Sequence, residues 1–358
     1  MPFPKGCLDD YFTLMNAQHQ HYVPQLLLRG FLARNSKYQG DEQVHVFDLI
    51  EEKSFTTSIG NIMGERRYND FWINEDTMGT IEPASGRIES HVAPLIEKIR
   101  AERRLERTPE CLGDLALFMA FQFMRTKKMR LLPERLNAQI RAKVRRMGFD
   151  PTSVDGLSDW DENKLKNEHV QQQLQSLVEF TQIIAKKEFF LMTAAEGSSF
   201  YLGDHPVVMH NDEPRKLMSG GLGIGVPYIQ IYLPLAADLM LCAYCPAVLG
   251  QLMKSQDEEM KQAQGMALRS LMDGRCTADQ MKAALVAAKE FDLTSPLIKS
   301  IKAGEPVRIG REQVQCYNSL QAFQAHRFVI DPDGKFQVAK EMMVEREKAD
   351  RREADKCG

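Results

Sequence analysis

The 358 residues contain no apolar run long enough to cross a bilayer: Leu115–Met124 and Ile231–Ala237, the longest, fall well short of the ~20 residues a membrane helix needs. The N-terminus shows no basic stretch followed by an apolar core, so no secretory leader is expected. Nor is there an excess of charge of one sign. A net charge of −3 and a pI near 6.3 supply no global field for nucleic acid, which leaves only a local basic patch for that role. Cysteine is sparse and odd in number, at seven scattered residues, which fits free thiols in a reducing cytoplasm better than a disulfide framework. There is no internal repeat and no low-complexity block. What remains, with 43% hydrophobic residues, is a chain able to bury a large core.

Hydrophobic spacing predicts mostly helix, with strands at two places. Val23 to Arg34 reads as a Pro-started helix, Gln43–Leu49 with Ser54–Ile59 as a β-hairpin, and Ile81 to Ile99 as an amphipathic helix limited by Pro83 and Pro94. Leu112 to Leu132, apolar nearly all round, predicts one central buried helix, followed by a basic helix over Glu134–Met147. Gly148–Asp161 is a polar loop and a candidate internal boundary, and Asn163 to Lys187 is helical. The chain then turns to strands over Phe189–Thr193, Ser199–Leu202, Pro206–His210, Pro227–Leu233 and Leu239–Tyr244. It returns to helix over Glu258–Asp273, Thr277–Phe291 and Gln313–Val329, and from Lys340 it is densely charged. The class is α+β, predominantly helical, with a β-hairpin near the N-terminus and an antiparallel or mixed sheet in the second half.

Several polar groups stand out against this background. His19, His21 and Tyr22 precede the Pro24 run; similar strings occur in ββα-metal nucleases, but no Asn-x5-His in a small ββα unit follows here. The plainer alternative is that His21 caps or staples the helix while Tyr22 packs on it. Gln122 and Arg125 share one face of the most apolar helix, where a guanidinium needs a carboxylate or a bound anion; Glu89 and Glu82 are candidate partners. Asp204, between Gly203 and His205-Pro206, either caps a turn or presents a carboxylate to a ligand. Cys242 and Cys245 form a lone CxxC whose thiols point to opposite faces of a strand, which argues against redox or zinc work. Ser219–Gly225 is glycine-rich but opens no helix and precedes no Lys-Ser/Thr, so it reads as a flexible loop. Arg125 to Arg146 carries a local positive surface, either an ordinary solvated face or a phosphate-contacting patch.

His21-Tyr22-Val23-Pro24 with Leu28 and Phe31, Ile88-Glu89, Gln122-Phe-Met-Arg125-Thr126, Gly203-Asp204-His205-Pro206-Val207, and Asn318 with Ala325-His-Arg327-Phe328 occur in that order. In them the chain resembles a mostly bacterial family of unknown function, marked by His-Tyr-x-Pro and a later Ser-Asp-Asn-Pro-Val. Here Gly203 replaces the serine and His205 the asparagine. The resemblance runs from about residue 20 to residue 330 and implies a single domain followed by a charged tail over 331–358. It brings no established activity.

The recurring polar positions His21, Glu89, Gln122, Arg125, Asp204, Asn318 and Arg327 come from separate elements. Such a set is the usual make-up of a hydrolytic or phosphoryl site. The leading expectation is a cytoplasmic, hydrolase-like protein acting on a phosphodiester or nucleotide, in the manner of a nuclease-type effector. His21, Glu89, Arg125 and Asp204 would be catalytic, and Gln122, Asn318 and Arg327 ligand-binding, with room for a divalent metal of unnamed identity. A phosphate-containing ligand or nucleic acid is the expected partner, and a membrane is not. The rival is a non-catalytic binding or regulatory module that uses the same groups as a buried network or for a small anionic ligand; a third alternative is a purely structural ion-pair core.

Overall fold

A computed structural model describes residues 19–34, 42–154, 157, 160–211, 222–290, 294–345 and 348. The first half opens with β1 (His19–His21), the four-residue helix α1 (Gln25–Leu28) running into a 3-10 turn at Arg29–Phe31, and the strands β2 (Gln43–Asp48) and β3 (Lys53–Ser58). Three short strands follow, β4 (Gly64–Arg66), β5 (Asp70–Trp72) and β6 (Met78–Thr80), then the helices α2 (Glu82–Glu102), α3 (Pro109–Met124), α4 (Lys127–Arg146) and α5 (Glu162–Ala185). The second half comprises β7 (Glu188–Ala194), β8 (Leu202–Gly203), β9 (Val208–His210), β10 (Gln230–Ala236), β11 (Leu239–Tyr244), α6 (Pro246–Met272), α7 (Ala278–Glu290) and α8 (Thr294–Ala303). It closes with β12 (Val307–Ile309), α9 (Arg311–Gln324) and β13 (Phe328–Ile330). The class is α+β, as the patterning predicts.

Two sheets organise the molecule. A mixed five-stranded sheet runs β12-β7-β11-β10-β9, with only β12 parallel to its neighbour. An antiparallel four-stranded sheet runs β3-β2-β13-β8, so the N-terminal hairpin of β2 and β3 is completed by β13, the last strand among the described residues. The main core joins α1, α2 and α3 to one face of the five-stranded sheet. Gly30 makes the closest approach there: a Cβ on it would collide with the Leu235 carbonyl oxygen and stand 3.0 Å from the Ala236 Cα. Only glycine lets the α1 turn dock on β10, and the Gly30 carbonyl then accepts a hydrogen bond from Ala237 N at 3.0 Å.

The structure corrects several sequence expectations. The helix over 112–132 is two helices, because Thr126 adopts an extended conformation (φ −78°, ψ 157°) as the N-cap of α4. Apolar periodicity passes straight through this break, so spacing alone does not reveal it. Pro94 does not interrupt α2: it lies on the exposed side of the helix together with Ser90, whose carbonyl water can satisfy. α9 stops at Gln324, not at Val329, since Ala325 turns extended and feeds β13. α6 starts at Pro246, earlier than expected, and α8 and β12 are additional. The core also continues past residue 330, where Phe336 and Ala339 pack with Phe47, Tyr201 and Val329. Residues 219–221 of the glycine-rich loop lie outside the described residues, as do parts of the polar loop at 155–156 and 158–159.

Candidate functional site

The break between α3 and α4 gathers one half of the polar set. Arg125, 1% exposed, ends α3 with its guanidinium over the Phe121 ring, 4.6 Å from the centroid. It donates to the Glu89 carboxylate on α2 and to the main-chain oxygen of His21 on β1. Its own carbonyl accepts from the Tyr68 hydroxyl at 3.0 Å. One turn earlier, Gln122 Nε2 donates to the Tyr22 carbonyl at 2.9 Å, leaving Gln122 Oε1 and Arg125 Nε buried without partners. The buried guanidinium thus ties α2 and β1 to the end of α3, and the Arg125 carbonyl adds the segment that carries Tyr68.

A second buried arginine repeats the device on the other side of Tyr68. Arg130 stacks on that ring, 3.5 Å from the centroid, and donates to the Tyr68 carbonyl and, at 3.2 Å, to His169 Nδ1. With Nδ1 accepting, His169 Nε2 must carry the proton it gives to the Met124 carbonyl at 2.8 Å. Burial, aided by the Arg130 charge, pushes the His169 pKa down to about 3, so the ring is neutral at physiological pH.

Asp204, between β8 and β9, anchors the other half. Its carboxylate accepts from the main-chain nitrogens of His326, Arg327 and Phe328 at 2.6, 2.8 and 3.1 Å. These are the residues through which the chain passes from α9 into β13. Burial raises its pKa to about 6 against the pull of those three donors. His205 beside it bonds the Thr126 hydroxyl at 2.7 Å, and burial holds it near 3. His205 thus reaches the α3–α4 break. A Cβ on Gly203 would lie 3.1 Å from Gln321 Oε1.

Gln321 belongs to a device that spacing could have revealed. Asn318, Gln321 and Gln324 lie at i, i+3 and i+6 on the buried face of α9. Asn318 bonds Ser199 O at 2.9 Å and Tyr201 N at 2.8 Å, and Gln321 bonds Gly203 N at 3.0 Å and Pro206 O at 2.9 Å. Gln324 takes both main-chain groups of Met209, at 3.1 and 2.7 Å. Three amides thereby satisfy an irregular segment that pairs only briefly as β8 and β9. Asn318, expected as a ligand-binding group, works as one rung of this ladder. Arg327 pairs with Asp48 at 2.7 and 2.9 Å, and Asp48 also caps the β2–β3 turn through Ile50 N at 2.9 Å.

The seven expected residues are therefore brought to the same region without all facing one space. His21, Glu89, Arg125 and Gln122 form one cluster, Asp204 and Arg327 a second, and Asn318 lies further along α9. His21 Nε2 bonds the Ile59 carbonyl at 3.0 Å, and burial lowers its pKa. An apolar cleft of about 50 Å³ between α2, α3 and α5 is lined by Ile88, Phe121, Met124 and Gln173 among others, and by none of the seven. Among the described residues, no group of three or more His, Cys, Asp or Glu is arranged to hold a metal.

Tyr22 links the two clusters. Its carbonyl is held by Gln122, its ring packs on Tyr68 at 5.1 Å between centroids, and its hydroxyl feels Asp204, Glu65 and Arg327. Burial first, and then Asp204, raise its pKa well above the usual value, so it remains a neutral donor. Around it lie half-exposed groups that the sequence reading did not single out: the Lys127–Glu65 ion pair, Lys128 bonded to Gln324 O at 2.8 Å, and Arg135 donating to His326 Nδ1 at 3.1 Å. Burial and the charges of Arg135 and Lys127 lower the His326 pKa to about 4.

A family model described as a protein of unknown function (DUF4238) matches residues 19–335. The chain belongs to that family. In DUF4238 terms, the match starts with β1 at His19 and ends beyond β13, taking in both polar clusters and the amide ladder. No curated protein and no solved structure matches the chain.

Proposed function

We propose that this chain is a ligand-binding module that takes a phosphate-bearing or similarly anionic small molecule at the surface around the Tyr22 hydroxyl. The observation that carries this reading is the charge arrangement there. Lys127, Lys128 and Arg135 come from α4 and Arg327 from the residue before β13; Glu65 on β4 pairs with Lys127, and Asp48 and Glu51 with Arg327. The Lys127 and Arg327 side chains keep 34% and 39% of their surface in solvent, enough to turn toward a ligand. The Tyr22 hydroxyl, kept neutral by burial and by Asp204 and Glu65, with Arg327 the cation it feels, offers the hydrogen bond that orients a phosphate oxygen once the side chains above it turn aside.

A hydrolase-like reading needs a free carboxylate oxygen for water or metal. Asp204 gives both oxygens to main-chain donors and Glu89 gives Oε1 to Arg125, which leaves Asp204 no oxygen for that task and favours binding. A nucleotide or a nucleic-acid phosphate falls within the same ligand chemistry. A cytoplasmic setting belongs to this reading too, as Cys111, Cys242, Cys245, Cys276 and Cys316 are all free thiols.

The test is a calorimetric titration with inorganic phosphate, pyrophosphate and nucleoside triphosphate, beside a phosphate-release assay with and without magnesium. Binding without turnover, weakened about tenfold or more by Tyr22→Phe or Lys127→Ala, is the expected result. Absence of binding at millimolar concentration would overturn the proposal. Metal-dependent turnover lost in Asp204→Asn would favour the hydrolase instead.

A further inference from the structure

α4 carries a second feature, which shares only Arg135 with the groups around Tyr22. Its twenty residues include eight Lys or Arg and one acid, Glu134. Leu132, Leu136 and Ile140 follow one another at i, i+4 and i+8, and they are 37%, 49% and 50% exposed. Met147 and Phe149, just beyond the helix, are 64% and 63% exposed. At 100° per residue the three apolar side chains and Met147 span about 80° of the helix surface. Lys143 falls inside that arc, and Arg135 and Arg146 lie on its flank, all three exposed. The opposite face is the one that packs inward, with Arg130 and Asn137 buried. From Leu132 to Met147 the row is about 22 Å long.

We infer that this face of α4 docks on an anionic lipid surface, lying in the interface with Leu132, Leu136, Ile140 and Met147 inserted between headgroups. Two properties choose this occupant. The cations complement anionic phospholipid, and they stand on the same flank as the apolar row, as in helices that lie in a bilayer interface. The face is convex and belongs to one helix, with aliphatic tips pointing outward. A fluid lipid surface conforms to that shape, whereas the phosphates of a nucleic acid would leave the leucines without a partner. The expectation of no membrane partner came from the lack of a spanning run; no described helix is long and apolar enough to cross a membrane, and surface attachment requires none.

The experiment is co-sedimentation of the full chain with vesicles of phosphatidylcholine alone and with about a third phosphatidylserine. Binding to the second and not the first is expected, falling as salt rises. Leu136→Gln with Ile140→Gln, and separately Lys143→Gln with Arg146→Gln, should each lower the partition coefficient about tenfold or more. Because these side chains are exposed, both variants should melt within a degree or two of wild type. Equal sedimentation with both vesicles, or with neither, overturns the inference. So does a dimer in solution that either double substitution dissociates, or duplex DNA binding that ignores the leucine and isoleucine changes. The four positions lie outside the Tyr22 surface, so phosphate titration of the same variants should match wild type and keeps the two proposals separate.

Discussion

Replacing Asp204 with alanine leaves the main-chain nitrogens of His326, Arg327 and Phe328 buried without an acceptor, at a position 1% exposed. Each orphaned donor costs about 1–3 kcal/mol, or roughly 3–9 kcal/mol for the three. One effect runs the other way. Burial holds the carboxyl near pH 6 in place of 3.8, and at about 1.36 kcal/mol per pH unit its removal returns about 3 kcal/mol at pH 7. The net expectation is a loss of about 0–6 kcal/mol, centred near 3, against the 5–15 kcal/mol typical of a domain. Asp204→Asn keeps one oxygen acceptor and should lose only about 1–2 kcal/mol at neutral pH. The sign of the pH dependence follows from the raised pKa: Asp204's stabilisation is fully present below 3.8 and is lost as pH rises through about 6. The asparagine variant's deficit should therefore be largest near pH 4 and shrink toward pH 7. Urea unfolding across that range, with an unchanged m-value, measures both effects. An asparagine deficit that stays constant between pH 4 and pH 7 would refute the reasoning.

Arg125→Met should cost about 3–5 kcal/mol by leaving Glu89 and the His21 carbonyl without their donor, and Glu89→Gln should cost less, since Glu89 is partly exposed; denaturant midpoints decide. Acid should weaken the fold as pH drops from about 6.5, because His169 and His205 are held near 3 and His326 near 4, so the unfolded chain binds protons first. His205→Asn, which removes the buried imidazole, should make melting temperature less sensitive to pH between 7 and 5, and an unaltered slope would contradict the burial argument.

How far the sequence could be read depended on whether a residue's constraint was local. Arg125 stood out because a guanidinium amid Phe121, Phe123 and Met124 demands a partner, and Glu89 is that partner. The strands β7, β10 and β11 were legible as β-rich apolar runs bounded by turns. Asp204 offered two readings, since only geometry distinguishes a carboxylate facing a ligand from one facing three peptide nitrogens. The amide ladder went unread although Asn318, Gln321 and Gln324 share a helical face; its purpose depends on an irregular strand more than a hundred residues earlier. Tyr22, Glu65, Lys127, Arg135 and His326 meet only through tertiary packing, and no spacing rule links them. The α3–α4 break was hidden because threonine weakens a helix only mildly and its partner His205 is remote.

The central claim, an anion held among the cations beside Tyr22, is tested most directly by following the His326 ring by NMR through a pH titration, with and without saturating inorganic phosphate. Arg135 and Lys127 contribute to holding His326 near 4, and a phosphate that neutralises them should raise its midpoint by about one pH unit or more. His169 and His205, buried away from solvent, should keep their midpoints in the same spectra. A His326 midpoint unmoved by phosphate, or one that moves only together with those two, would contradict the account.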